Sequence, residues 1–273
     1  QVGETEIINN IVGYHIHQDP SPMLVLNPTL DMSQTWSKDR LAPMVRDTPE
    51  LRDKVRDAKS RDSKNTILHK GFPGGHITMA GANAAASLAS RPVRMLCCDE
   101  VDRYPPSAGT EGDPVQLGKK RTVTFWNRRI ILTSTPTIKG ASRIEQAYEE
   151  SDQRRYHVKC ECGHETPLWW ANIHFDNHDP DTAHWACPEC GVIVKDRDKM
   201  KLIKSGRWIA GSESRGVAGF HLNELISPWR SWGDVVHDFL EAKRVSDTGD
   251  HSLMQVWVNT SLGETWEQVG VSV

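Results

Sequence analysis

Two adjacent carboxylates, Asp99 and Glu100, follow four apolar or soft residues, Met95-Leu96-Cys97-Cys98, in the segment running from Arg94 to Pro105. A short apolar run without alternation predicts a strand buried on both faces, the pattern of a parallel sheet. Burying an ionised carboxylate is costly, so such a strand releases its acids at the carboxyl edge, where open α/β sheets bind ligands. For nucleotide hydrolysis the division of labour follows from the chemistry. Asp99 holds a magnesium shell, and Glu100 orients and deprotonates the attacking water.

Two further segments belong at the same edge. Gln1-Val2-Gly3-Glu4-Thr5-Glu6, entering the apolar positions Ile7, Ile8, Ile11 and Val12, reads as the tail of a Gly-x-x-x-x-Gly-Lys-Thr loop opening a helix. In such loops backbone N–H groups cradle phosphates, the Lys reaches the outer phosphates and the hydroxyl sits on magnesium. Gly3 and Thr5 occupy the right places, but Glu4 stands at the Lys position and sets a repulsive charge beside a polyanion. The same residues also suit a plain capped helix start. The run Ile130-Ile131-Leu132 ends in Thr133-Ser134-Thr135-Pro136-Thr137, whose hydroxyls are placed to sense an outer phosphate and relay its loss. An ordinary Ser/Thr/Pro loop is the other reading.

A second chemistry lies in Cys160-Glu161-Cys162-Gly163-His164 and Cys187-Pro188-Glu189-Cys190-Gly191, with 24 residues between the pairs. Two Cys pairs at this spacing predict a structural zinc site held by Cys160, Cys162, Cys187 and Cys190. The glycine after each pair lets backbone N–H groups turn towards sulfur. The first pair has one intervening residue where two are usual, which leaves His164 as a substitute ligand. Four protein ligands leave no open position for catalysis. Trp169, Trp170 and Trp185 are expected to form the core of this small module.

The elements that must position these residues alternate. After a first helix come a strand at Met23–Leu26 and short charged helices over 36–44 and 49–58. A strand at Ile77–Gly81 follows, then a small-residue turn and helix over 82–90. The acidic strand, a helix over 114–125, the strand at 130–132 and a helix over 142–150 complete the series. Alternation at this spacing predicts a mostly parallel sheet with crossover helices on both faces. A chain of 273 residues holds one such domain plus a small module. The expected division is an α/β core over 1–153, a zinc-ribbon-like module over 154–205 and a helical linker region over 206–273. A net charge of −3 excludes a generally basic nucleic-acid coat but not a local one. Candidate phosphate contacts are Lys119-Lys120-Arg121, Arg128-Arg129 and Arg154-Arg155. Arg91 is a candidate for contact with a nucleotide or a neighbouring subunit. No apolar run is long enough to span a membrane, and the cysteine pattern suits a reducing cytoplasm.

The order of motifs resembles the lambda-like phage terminase large subunit. The resemblance runs through Gln-Val-Gly-x-Thr-Glu, Asn27-Pro28-Thr29, Ser87-Leu88-Ala89-Ser90-Arg91-Pro92, Asp99-Glu100-Val101-Asp102-Arg103-Tyr104-Pro105, Thr133-Ser134-Thr135-Pro136-Thr137, the Cys-rich insert and the terminal Asn259–Glu267. It implies a P-loop NTPase of the helicase-like kind, with ATP, Mg2+ and structural Zn2+ as cofactors. Asp99 would hold magnesium, Glu100 would be the base, Gly3, Glu4 and Thr5 would line the nucleotide, and Thr133, Ser134 and Thr135 would form the coupling motif. The implied partners are double-stranded DNA, a terminase small subunit, the portal of a procapsid and further copies in a ring, in the cytoplasm of the bacterial host. The family's nuclease is expected beyond residue 273, with 259–267 as a linker towards it. Two other readings stay open: a superfamily-2 helicase, which needs a second RecA-like domain, and a non-hydrolysing prophage remnant, suggested by Glu4.

Overall fold

The structure is a computed structural model that describes residues 3–55, 65–84 and 91–267. It divides into two compact units, Gly3–Ser134 and the residues from Thr135 onward.

The first unit is built on a five-stranded sheet. Strands β1 (Pro22–Asn27), β2 (His69–Phe72), β3 (Gly75–Gly81), β4 (Met95–Asp99) and β5 (Arg129–Thr133) lie in the order β2-β3-β1-β4-β5. All neighbours run parallel except the β2/β3 hairpin. Register pairs Val25 with Met79 and Cys97, and Asp99 with Thr133. Side-chain alternation then sorts the two faces. Met23, Val25, Ile77, Met79, Met95 and Cys97 form one buried cluster with Ile8, Val12 and Ile16 of helix α1 (Glu4–His17), spaced one turn apart, and with Trp36 and Leu41. Leu26 and Leu96 face helix α5 (Pro114–Lys120) on the other side, where a Cβ at Gly118 would lie 3.0 Å from a Leu96 methyl. The expected α/β sheet with helices on both faces is therefore present. All five residues of β4 are buried, and burial pushes the Cys97 thiol up to about 12 and the Cys98 thiol up as well. Both act as packing groups, not nucleophiles.

Three local expectations shift. Helix α2 (Leu30–Trp36) begins earlier than Trp36 because the Thr29 hydroxyl accepts the Met32 N–H, and it runs through a π-turn at Ser37–Leu41 into α3 (Ala42–Asp47). Helix α4 (Pro49–Arg52) is short, and the rest of that predicted helix beyond residue 55 lies outside the described residues, as does 85–90. The helix predicted over 114–125 stops at Lys120, since the β-branched run Thr122-Val123-Thr124 folds into tight turns instead.

The second unit contains α6 (Arg143–Glu149), the helix expected over 142–150 with Ser142 as its N-cap, and two small sheets. One joins β6 (Arg154–Lys159) to β7 (Glu165–Pro167), β11 (Arg207–Ile209) and β12 (Phe220–His221). The other is β8 (Ile173–His174), β9 (His184–Ala186) and β10 (Ile193–Lys195). Helix α7 (Lys199–Lys204) precedes β11. Helix α8 (Trp232–Ser246), with a Ser231/Asp234 capping box, and α9 (Ser252–Trp257) follow β12. One core joins parts of both sheets to α8 and α9: Val158, Leu168, Ile173 and Trp185 pack in the same cluster as Trp232, Val235, Val236 and Trp257. Of the three tryptophans expected to fill the Cys-bearing part, Trp185 is fully buried and Trp170 packs against Phe239 and Trp257. Trp169 instead is exposed, its ring covered by the Arg155 guanidinium at 4.5 Å. No helix among the described residues is long and apolar enough to cross a membrane.

His221 is locked in this unit. Its Nδ1 accepts from Arg155 at 3.1 Å, and its Nε2 donates to the Gly263 carbonyl at 3.0 Å. Burial first, and the Arg155 charge second, hold its pKa down at about 4. The unfolded chain takes up this proton near pH 6.5, so unfolding gains as pH falls from about 6.5 to about 4. The stability held by this group is complete above that window and declines through it, by at most about 3 kcal/mol. Urea denaturation of wild type and His221→Gln at pH 7 and pH 5 should show the variant losing less stability on acidification.

Candidate nucleotide site and metal centre

The carboxyl ends of β4 and β5 and the start of α1 bring three sequence-predicted residues together. Asp99 closes β4 with 7 % of its surface exposed, and the Thr133 hydroxyl donates to its Oδ1 at 2.8 Å. The Thr5 hydroxyl and the Glu100 N–H also bond this carboxylate. Burial raises the Asp99 pKa above its usual value, and the hydrogen bonds from Thr133, Glu100 and Thr5 oppose that rise. A desolvated carboxylate with a hydroxyl alongside is a hard oxygen donor set, the kind that suits magnesium.

Gly3 supplies the turn into α1. Its φ of 84° lies in the left-handed region that only glycine adopts freely, and its carbonyl accepts the N–H groups of Glu6 and Ile7 at 3.0 and 3.3 Å. The first N–H groups of a helix have no partner within the helix and favour anions. Glu4 opens the helix, but its side chain lies outside the described ones, as do Gln1 and Val2.

Glu100 is held by backbone. Its φ of 56° turns the chain sharply out of β4 into a 3-10 turn at Val101–Arg103. Val101 is fully buried, and the Tyr104 hydroxyl donates to the Leu26 carbonyl at 2.8 Å, tying this loop to β1. Ser134 Oγ accepts the Asp102 N–H at 3.2 Å. Neighbouring hydroxyls at the end of β5 thus grip the acidic pair on both sides, Thr133 through Asp99 and Ser134 through the loop after Glu100. Thr135, the third residue of that motif, opens the second unit. Arg103, not singled out from sequence, places Nε 3.3 Å from Glu100 Oε2, and its position three residues on was the available signal. Asn27 also joins the rim: its Oδ1 accepts from Ser33 Oγ at 3.2 Å and its carbonyl accepts the Ala82 N–H at 2.8 Å. Arg91 is exposed and its charge lowers the pKa of His69 and His76, behind the larger effect of burial.

The four cysteines form the second site. Cys160 and Cys162 sit in the β6–β7 turn, Cys187 and Cys190 in the β9–β10 turn. Gly163 and Gly191 take φ of 93° and 72°, and their N–H groups donate to the backbone carbonyls of Cys160 and Cys187 at 2.9 Å each, not to the sulfurs. All four Sγ atoms lie within 4.8 Å of one another, with Cys160–Cys190 at 3.7 Å and Cys162–Cys187 at 3.9 Å. A tetrahedral zinc with Zn–S of about 2.3 Å requires S···S of about 3.8 Å. The spacing fits zinc. His164 is not part of this cluster; its carbonyl accepts the Cys160 N–H at 2.9 Å, shaping the turn.

Two outcomes follow, one for the nucleotide site and one for the zinc site. Asp99→Asn removes a desolvated charge while keeping an acceptor for Thr133, so in nucleotide- and magnesium-free protein the variant should unfold at a higher temperature than wild type. A lower Tm would show that the charge is not a cost. Cys187→Ser should abolish binding of about one zinc per chain, read by elemental analysis. It should also lower stability, read by loss of Trp fluorescence change on denaturation, since the cluster borders the Trp185 core.

The chain resembles known proteins throughout its length. Residues 1–208 match the family model for the phage terminase large subunit gpA ATPase domain, and residues 217–273 match that for the terminase large subunit gpA endonuclease domain. The second match corrects the expectation that the nuclease is absent: an endonuclease domain is present at 217–273, and 259–267 is no free linker. The physical sign was burial, since Trp232, Val235, Val236, Trp257 and Leu262 are core residues. The large terminase subunits of Enterobacteria phage P21 and Escherichia phage lambda are 27% and 26% identical over 98% of this chain, which spans 45% of each of them. The fold is like that of the Thermus phage P74-26 large terminase ATPase domain, with a TM-score of 0.50 at 13% identity, over 97% of this chain and 84% of that one. With that family model matching well over half of its length, the chain belongs to the phage terminase large subunit gpA family.

Proposed function

We propose that this chain is the ATP-hydrolysing motor region of a terminase large subunit, driving double-stranded DNA into a procapsid in the cytoplasm of its bacterial host. The observation that carries it is the junction of Thr5, Asp99 and Thr133 at one sheet edge, with Glu100 on the adjoining loop and Ser134 bonded to that loop at Asp102. Magnesium bound there would neutralise charge on the transferring phosphoryl group. The chain's own part is to present that ion with Asp99 and Thr5, to receive the phosphates on the N–H groups at Gly3 and the start of α1, and to orient water with Glu100.

Thr133 bonds Asp99 and Ser134 bonds the Asp102 N–H in the loop after Glu100, which suits a relay of phosphate loss into that loop. The four cysteines hold a structural zinc. Partners in this reading are a terminase small subunit, the portal and further copies in a ring.

Steady-state ATP hydrolysis with duplex DNA tests the assignment. Glu100→Gln should lose about 10²–10⁴-fold in kcat, the usual worth of a general base, while still binding nucleotide. Turnover unchanged by that substitution would remove Glu100 from the role.

A further inference from the structure

The amino ends of the same strands carry a feature unconnected with the nucleotide edge. Between α5 and β5 the chain makes successive tight turns, with Phe125 N–H donating to Thr122 at 3.0 Å and Arg128 N–H to Phe125 at 3.3 Å. Both ends of this loop are pinned to consecutive residues entering β4. The Arg121 carbonyl accepts the Val93 N–H, and the Arg129 N–H donates to the Arg94 carbonyl, each at 2.9 Å. Thr122 is fully buried beneath it and donates to the Lys119 carbonyl at 2.8 Å. From this fixed base Trp126 projects with 95 % of its surface exposed, beside Val123 at 58 %.

An indole held in water is unfavourable for a free surface, and a rigid aromatic loses little entropy when covered. Charge names the partner. Residues 119–129 include Lys119, Lys120, Arg121, Arg128 and Arg129 and no acid. Lys119 and Lys120 lie in the last turn of α5, where a helix favours cations in any case. Arg128 has no such reason to be there, and it is exposed. The acidic group that faces Arg129 is Asp19, already bonded to Arg94.

We propose that the 119–129 loop is a contact surface for duplex DNA, with Lys120 and Arg128 on phosphates and Trp126 packed against the backbone sugars between them. The proposal rests on the DNA-packaging reading above and names where in the first unit its polyanion is held. It lies at the sheet end opposite Asp99 and Thr133, since β4 and β5 run away from it.

The experiment is equilibrium binding of a fluorescein-labelled blunt duplex to the whole 273-residue chain across a salt series. Each phosphate contact contributes about 0.9 to the slope of log K against log salt. Lys120→Ala/Arg128→Ala should weaken binding and flatten the slope by about 1.8. Trp126→Ala should weaken it several-fold with the slope unchanged, a difference that general damage to the fold would not produce. ATP turnover without DNA should be the same in all three proteins. Affinity and slope equal to wild type in both variants would overturn the proposal. So would Trp126-dependent binding to phosphatidylserine vesicles with none to the duplex. Failure of the motor reading is separable: it appears as turnover indifferent to Glu100→Gln, whatever the DNA titration shows.

Discussion

A carboxylate drawn into protein at the end of a buried strand is the constraint on which the first unit depends. Asp99 must be held without bulk water, so its oxygens are met by the Thr133 hydroxyl, the Thr5 hydroxyl and the Glu100 N–H. Each of these partners fixes an element. Thr133 requires β5 to end in register with β4, Thr5 requires α1 to start over the strand end, and the Glu100 N–H requires the chain to turn left-handed immediately after Asp99. The four residues before it are buried on both faces, which leaves β4 no freedom to slide. Desolvation raises the cost of the Asp99 charge and would strengthen its attraction for a cation.

The second unit solves a different problem. Its strands are two to six residues long, too short to define a sheet core by themselves. Two turns closed by four sulfurs, and helices α8 and α9 laid against them, make one shared core around Trp185, Trp232 and Trp257. The Trp232 and Trp257 indoles donate to the Leu225 and Val235 carbonyls at 3.0 and 3.2 Å, so these large side chains are buried without a polar penalty. A metal that pins the turns therefore acts on the helices too, through packing and not through ligation.

What the sequence disclosed depended on whether its signal was local. The β1, β3, β4 and β5 runs were readable because a strand buried on both faces is continuously apolar. The cysteine knuckles were readable because metal geometry fixes ligand spacing and the glycines that follow. Strand β2, His69-Lys70-Gly71-Phe72, was not, since an edge strand with one paired side carries no apolar run. Trp169 was misplaced for a related reason: a tryptophan count says nothing of which indole is covered by an arginine and which by a core. The nuclease part at 217–273 escaped notice because its core residues, Trp232, Val235 and Trp257, pack on partners far earlier in the chain. Asp99, Thr133 and Thr5 were each nameable alone, but their hydrogen bonding is a matter of register, which no single segment contains.

The two ends of β4 face different chemistries, and the strand itself is the connection. Arg94, which anchors the Trp126 loop, and Asp99 are five residues of extended chain apart, about 17 Å at 3.4 Å per residue. A strand with hydrogen-bonded neighbours on both sides and side chains packed on both faces cannot buckle locally, because close-packed interiors transmit displacement and do not absorb it. A shift of the Asp99–Thr133 pair therefore moves β4 and β5 together, and the loop whose ends are tied to Val93 and Arg94 moves with them. The displacement that reaches the loop can be no larger than the one at the carboxylate, a fraction of an ångström in a packed sheet. The two ends of β4 are thus mechanically one body, and any larger motion requires packing with two alternative arrangements.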